Sequence, residues 1–236
     1  MSKKILILNY TGVRVIPGKM QADVINWSLH LQRYIFALKY CVNKKILDVA
    51  CGSGYGVSLL SSVAKSVKGI DIDKETIQWA KINNHFYCRV KFKISNIEKE
   101  KISDRFDNII SFETIEHLKN PEFLLSNIKK SLNDYGCLIF SIPVNEPYNK
   151  FHERGYNWES VDSLIKDSFS SHIEWYSQTL EGIFKGKRDN ALFAIGVAHK
   201  NLPPVLKLLE NKFYKTGRFL KKKAAEKLGI ISKSRW

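Results

Sequence analysis

Three groups of residues in this 236-residue chain have the types and spacing to do chemistry. The first is a glycine turn, Cys51-Gly52-Ser53-Gly54-Tyr55-Gly56, just behind the apolar run 45–49 that carries Asp48. Alternate glycines let bare backbone approach a ligand, and the amides opening the next helix can face an anion. The second is Asp71, 19 residues after Gly52 at the end of the next apolar run. A carboxylate there can accept two hydroxyl hydrogen bonds from a ribose. The third is a set of acids and imidazoles behind two later runs: Glu113, Glu116, His117, His152 and Glu153. An imidazole near neutral pH can take a proton during group transfer, which makes His117 the first candidate for a general base. Glu116 beside it is the candidate to orient the ring, although adjacent helical residues do not face each other. The competing reading of His117 is a structural cap of the next helix.

These groups must be positioned by strands and helices. Apolar runs at 45–49, 66–70, 90–94, 106–112 and 137–142 read as strands, and the stretches after the glycine turn and at 74–84, 122–132 and 159–169 read as helices. Alternation of this kind predicts a parallel sheet with crossover helices. Asp73 is placed to cap the helix at 74–84, and Pro121 to open the one that follows it. Further strands are expected at 173–177 and 191–198, with a loop at 181–190 between them. At 22–40, the spacing of Val24, Trp27, Leu31, Ile35 and Leu38 predicts a helix packed on the sheet through that face. The polar, aromatic segment 145–156 breaks the periodicity, and a loop this long in a compact domain is more often functional than idle.

With these elements on the page, the chain resembles the class I S-adenosylmethionine-dependent methyltransferases. Ile46-Leu47-Asp48-Val49-Ala50-Cys51-Gly52-Ser53-Gly54-Tyr55-Gly56 resembles their first motif and Gly69-Ile70-Asp71-Ile72-Asp73 their second. Asp107-Asn108-Ile109-Ile110-Ser111-Phe112-Glu113-Thr114-Ile115-Glu116-His117-Leu118 resembles the fourth-strand motif of the branch that includes quinone and sugar O-methyltransferases. Residues 131–143 resemble the family's turn and fifth strand. The resemblance covers about residues 42–199 and implies a Rossmann-like α/β fold. That fold is a seven-stranded, mostly parallel sheet with an antiparallel last strand (191–198) entering at the edge and helices on both faces.

The resemblance also implies a site. Asp48, Ala50, Cys51, Gly52, Gly54 and Phe112 would line the methionine side of S-adenosylmethionine, Asp71 would bind its ribose, and Ile72 would pack on adenine. Two departures stand out. Ala50 replaces a glycine, and alanine is expected to keep φ below zero there, altering the turn slightly. Asn96 and Ile97 stand where the family has an acid and an alanine; the Asn96 side-chain oxygen would accept from the adenine amine and the Ile97 amide would donate to the ring. His30-Leu31-Gln32-Arg33-Tyr34 resembles a lead-in of methyltransferases encoded beside polysaccharide genes, which suggests that Arg33 reaches the methionine carboxylate and Tyr34 shields the site; a solvated arginine on a capping helix is the alternative.

Methyl transfer is an in-line displacement at a carbon activated by a sulfonium, so a protein mainly positions the acceptor and excludes water. His152 with Phe151 and Tyr156 is expected to bind the acceptor, since flat aromatic faces suit a sugar or ring. A packed lid is the alternative. A divalent metal is not expected, because the histidines and acids show no ligand spacing in sequence. The product would be S-adenosylhomocysteine, and the acceptor a small molecule or glycan, in polysaccharide biosynthesis for instance. An NAD enzyme fits less well, because the third glycine comes one residue too early for G-x-G-x-x-G.

Composition limits the remaining classes. Four cysteines, Cys41, Cys51, Cys88 and Cys137, lie 10, 37 and 49 positions apart, too far for a zinc knuckle, and read as free thiols in a reducing cytoplasm. No stretch approaches the roughly 20 apolar residues of a membrane span. The net charge of +15 is concentrated late: residues 200–236 hold 11 basic residues against Glu210 and Glu226. The chain therefore divides into a cap segment (1–41), a cofactor domain (42–200) and a basic amphipathic helical extension (201–236). That extension could pack its apolar stripe on the domain or on a second copy in a homodimer with its lysines solvated, rest on an anionic membrane at its inner face, or grip RNA. An RNA methyltransferase and a non-catalytic cofactor-binding scaffold are the competing functions.

Overall fold

The computed structural model describes residues 24–84, 88–146, 149–169 and 172–201. The lead-in before residue 24 and the basic extension lie outside the described residues, and with them the membrane, RNA and second-copy expectations. Among the described residues no helix is long and apolar enough to cross a membrane.

In chain order the elements are α1 (Val24–Cys41), β1 (Lys45–Val49), α2 (Tyr55–Ser61), β2 (Ser66–Asp71), α3 (Lys74–Asn83), β3 (Val90–Ile94) and β4 (Phe106–Phe112). Then come α4 (Pro121–Ser131), β5 (Leu132–Pro143), α5 (Trp158–Ser168), β6 (His172–Thr179), β7 (Gly182–Lys185) and β8 (Phe193–His199). Side-chain caps fix the helix starts. Asp73 accepts from the Thr76 amide at 2.7 Å, and Asn120 from Phe123 at 3.0 Å with Pro121 in the first turn. Asn157 and Ser160 cap each other at the head of α5.

One eight-stranded sheet runs β3-β2-β1-β4-β5-β8-β6-β7. The first five of these strands are mutually parallel, so their carboxyl ends share one edge. Neighbouring residues serve opposite faces: Leu47, Ile109 and Leu138 join a core with α4 and α5, while Ile46, Ile110 and Ile139 join one with α1, α2 and α3.

Two expectations about the sheet are corrected. The last strand does not enter at the edge; β8 lies between β5 and β6, antiparallel to both. Its unbroken buried run Ala194-Ile195-Gly196-Val197-Ala198 is that of an interior strand, and bare Gly196 makes room for the Phe140 ring. The edge is instead β7, a short eighth strand inside the expected loop 181–190, paired with β6 through a tight turn.

The face assigned to the first helix is also corrected. Val24 and Ile35 are exposed, and α1 docks through Leu29, Arg33, Tyr34, Ala37 and Cys41. This stripe repeats every four residues and includes an arginine, which the apolar periodicity could not count.

Candidate active site

The glycine turn is built from left-handed backbone. Ala50, Gly52 and Gly54 hold φ of +56°, +52° and +81°. The expectation that Ala50 keeps a negative φ is thus wrong. The chain must turn sharply out of β1 so that the Cys51 amide can donate to the Ile70 carbonyl (3.0 Å), and the Gly54 amide closes back on the Cys51 carbonyl (3.1 Å). An L-residue pays for this region with about 1–2 kcal/mol. Ala50→Gly is therefore expected to stabilise the protein by about 0.5–1 kcal/mol, once the extra entropy of unfolded glycine is subtracted. Urea unfolding checks this, and a less stable variant would show that the alanine methyl packs better than its backbone suffers.

Gly52 and Asp71 form the polar heart of the turn. The Gly52 amide donates to Asp71 Oδ2 and the Asp73 amide to Asp71 Oδ1, both at 2.9 Å. This aims the carboxylate while leaving lone pairs for further donors. A Cβ built on Gly52 would meet nothing within 4 Å, so its bare face looks into open space. Asp71 itself borders a groove of about 220 Å³ over the strand ends, with Ala50, Ile72, Asn96 and Ile97 beside it at one end and Glu113 and His117 at the other. Ile72 is 63% exposed there, a large apolar side chain ready for a flat partner. The Asn96 oxygen accepts from the Glu98 amide at 3.0 Å and shapes its own loop, with its second lone pair left for another donor.

Four other expected cofactor residues sit behind the groove rather than on it. Cys51 is buried with its sulfur under Gly69, and Gly54 is bare because a Cβ would strike the Phe92 ring at 2.8 Å. Phe112 is buried edge-on to the Tyr34 ring. Asp48 is fully buried and accepts the Tyr34 hydroxyl at 3.1 Å; burial pushes its carboxyl up to about 8, with the tyrosine bond opposing the rise. Asp48 and Phe112 both contact Tyr34, whose ring covers Gly56 so closely that a Cβ there would lie 2.1 Å from it.

Arg33 is neither solvated nor free to reach a ligand. It is fully buried, with Nη1 donating to Gln178 Oε1 (2.8 Å), Nη2 to Glu113 Oε1, and the guanidinium 4.3 Å from the Phe193 ring centre. Burial lowers its pKa to about 10, still well above neutrality. Its partner Glu113 holds φ of +46° at the mouth of the groove, and also faces His30 Nε2 at 3.1 Å. A strained residue kept in place by two cationic or polar partners marks a site where position matters.

The remaining candidates converge on the wall between this groove and a second cavity of about 280 Å³, lined by Glu146, Asn149, His152, Glu153 and Tyr156. His117, on a short turn of 3₁₀ helix after β4, has Nδ1 at 2.8 Å from the Phe151 carbonyl. A carbonyl only accepts, so Nδ1 carries the proton and Nε2 keeps a lone pair. The His152 ring stands edge-on to His117 with centres 4.8 Å apart. Tyr156 is buried and lines the second cavity. Phe151 contributes its carbonyl to His117, while its half-exposed ring lies under Lys150. Glu116 is buried, and neither carboxylate oxygen has a hydrogen-bond partner. Glu116, His117 and His152, separated by up to 36 positions in sequence, offer ligand atoms within 4.8 Å of one another.

Comparison with known proteins places this geometry among relatives. A family model described as a methyltransferase domain matches residues 42–227. A probable S-adenosylmethionine-dependent methyltransferase of Mycobacterium tuberculosis is 26% identical over 193 residues, covering 77% of this chain and 66% of the relative. A ubiquinone biosynthesis O-methyltransferase of Pelagibacter ubique is 29% identical over 100 residues, 42% of each chain. The chain spans just under two thirds of the length of the mycobacterial relatives it matches, 66% and 64%. The N-methyltransferase NodS of Bradyrhizobium japonicum, solved with S-adenosyl-L-homocysteine, superposes with a TM-score of 0.60 at 16% identity, over 78% of this chain and 91% of its own. At that identity the likeness is one of fold.

Proposed function

The chain belongs to the methyltransferase-domain family, and on that premise we propose that it transfers a methyl group from S-adenosylmethionine to a hydroxyl of a small-molecule or glycan acceptor. The observation that carries this reading is the Asp71 carboxylate, aimed by two backbone amides at the rim of an apolar groove, one of those amides being that of Gly52, whose bare face is open. The donor residues fit a nucleoside: Asp71 accepts ribose hydroxyls, while Ile72 and Ile97 offer apolar surface to a base. They suit a dinucleotide less well. Its pyrophosphate would need the amides at the head of α2, where the Tyr34 ring already rests on Gly56.

When bound, S-adenosylmethionine supplies a methyl carbon made electrophilic by the adjoining sulfonium. The chain's own part is to hold and orient. Arg33 and His30 fix Glu113 at one end of the groove, and Tyr34 closes the floor. His117 stands between the groove and the second cavity with a lone pair on Nε2, where it can take the proton of an acceptor hydroxyl. An acceptor lying in the second cavity against Tyr156 would approach from the side opposite the nucleoside end. The ubiquinone relative, an O-methyltransferase by name, supports a hydroxyl as the target.

Calorimetric titration with S-adenosylmethionine and, separately, NAD tests the premise. Binding of the sulfonium compound alone is expected. Assay of S-adenosylhomocysteine release with nucleotide-linked sugars, glycolipids, phenols and RNA then tests the acceptor; turnover confined to RNA would replace the small-molecule reading. Tight NAD binding without S-adenosylmethionine binding would sink the proposal.

A further inference from the structure

We propose that Glu116, His117 and His152 hold a divalent first-row transition-metal ion in the wall between the nucleoside groove and the second cavity. Metal binding itself is independent of the methyltransferase reading; the role given to it below rests on that reading.

The first observation is the unsatisfied carboxylate. Glu116 is 1% exposed and both its oxygens lack hydrogen-bond partners, a costly arrangement unless a cation or a proton meets it. Arg33, whose charge is felt at Glu116, is already committed to Glu113 and Gln178. The second observation is how the imidazoles are braced. His117 donates Nδ1–H to the Phe151 carbonyl at 2.8 Å, and His152 Nδ1 lies 3.1 Å from Glu146 Oε2. Anchoring one ring nitrogen on a carbonyl or carboxylate fixes the tautomer and turns the other nitrogen's lone pair outward, the arrangement usual around metal-ligating histidines. The Nε2 of His152 now accepts a long 3.3 Å contact from the Asn149 amide, which would yield to an ion.

The ligand atoms lie within 4.8 Å of one another, whereas three ligands around one ion stand about 3.3 Å apart. Closing that gap takes small side-chain rotations. Two imidazoles and one carboxylate suit zinc, manganese, iron or cobalt better than calcium or magnesium. Three protein ligands leave at least one position open, the pattern of a catalytic rather than a structural site. His117 borders the groove and His152 the second cavity, so that position opens where methyl donor and acceptor would meet. With its Nε2 lone pair on the ion, His117 no longer serves as the base it would be without metal, and an acceptor hydroxyl held there would release its proton to water. Its oxygen would then form the new bond to the methyl carbon as the carbon–sulfur bond breaks, with the electron pair passing to sulfur and cancelling its charge.

The experiment is to strip the full chain with a chelator and titrate it with Mn²⁺ by calorimetry and Co²⁺ by visible absorption. One ion per chain is expected, with affinity lowered more than about 100-fold in Glu116→Gln and in His152→Ala, a larger loss than removing a bracing partner causes. The wild type should also melt higher with Mn²⁺ present and the two variants should not. S-adenosylmethionine titrated into the same samples shows that the variants are folded. Absence of ion binding, equal affinity in the variants, or a thiolate-to-cobalt charge-transfer band from the cysteines would each overturn the site. Loss of S-adenosylmethionine binding in the wild type would overturn the methyltransferase reading while leaving the ion result standing.

Discussion

Arg33→Ala is expected to destabilise the protein by about 3–5 kcal/mol, the cost of breaking a buried ion pair from one side. In a domain of this size that lowers the melting temperature by roughly 10 °C. The guanidinium joins three parts of the fold that are remote in sequence: Glu113 after β4, Gln178 on β6 and Phe193 at the head of β8. Its removal leaves Gln178 without one partner and Glu113 facing only His30, while the cavity under α1 has no group to refill it. Arg33→Lys should recover little, because a single ammonium cannot reach both acceptors in the fork geometry that the two Nη atoms satisfy. Arg33→Met combined with Glu113→Gln should recover more stability than either lysine or alanine, since it removes both charges together. Urea unfolding of the four proteins decides it. A loss below about 1 kcal/mol for Arg33→Ala would mean that the apolar stripe of Leu29, Ala37 and Cys41 docks α1 unaided.

The same residue shows what the sequence could and could not reveal. Seven of the eight strands and their order of appearance were legible because most bury a short apolar run between turn residues, whereas β7 is half-exposed in a polar stretch, and Asp73 as a cap and Pro121 as a first-turn residue announce themselves by type. The glycine turn and Asp71 were legible because their spacing is local to one β-α-β unit. Arg33 was not, since its meaning depends on partners 80 and 145 positions away. One signal was nonetheless available: Leu29, Arg33, Ala37 and Cys41 recur every four residues, and an arginine on such a stripe must be either paired or misplaced. The position of β8 also had a signal in its lack of polar alternation, which an edge strand would show. The φ of Ala50 had none, because residue type biases a dihedral without setting it. Glu116, His117 and His152 come together only because the loop after β5 folds back over the turn after β4, with the Glu153 amide on the Glu116 carbonyl at 2.9 Å. No spacing rule read along the chain anticipates that.

Asp71→Ala is expected to weaken S-adenosylmethionine binding by about 100-fold or more, because two charge-assisted hydrogen bonds to the ribose are lost, each worth about 1.5–3 kcal/mol. The change also frees the Gly52 and Asp73 amides that the carboxylate now holds at 2.9 Å, so the turn loses its brace as the ligand loses its acceptor. Asp71→Asn separates the two effects. Its side-chain nitrogen must face one of those amides, donor against donor, so it should lose nearly as much affinity as alanine despite its matching shape. Gly52→Val acts on the ligand side alone: the new side chain enters the open space above a backbone at φ +52°, where a β-branched residue is strained and the nucleoside should lie. Binding should become undetectable while the sheet, whose core the residue does not touch, still forms. Calorimetry on variants that retain a cooperative melt provides the test. Affinity within about threefold of wild type in Asp71→Ala, a difference under 1 kcal/mol, would move the nucleoside away from this carboxylate and out of the groove.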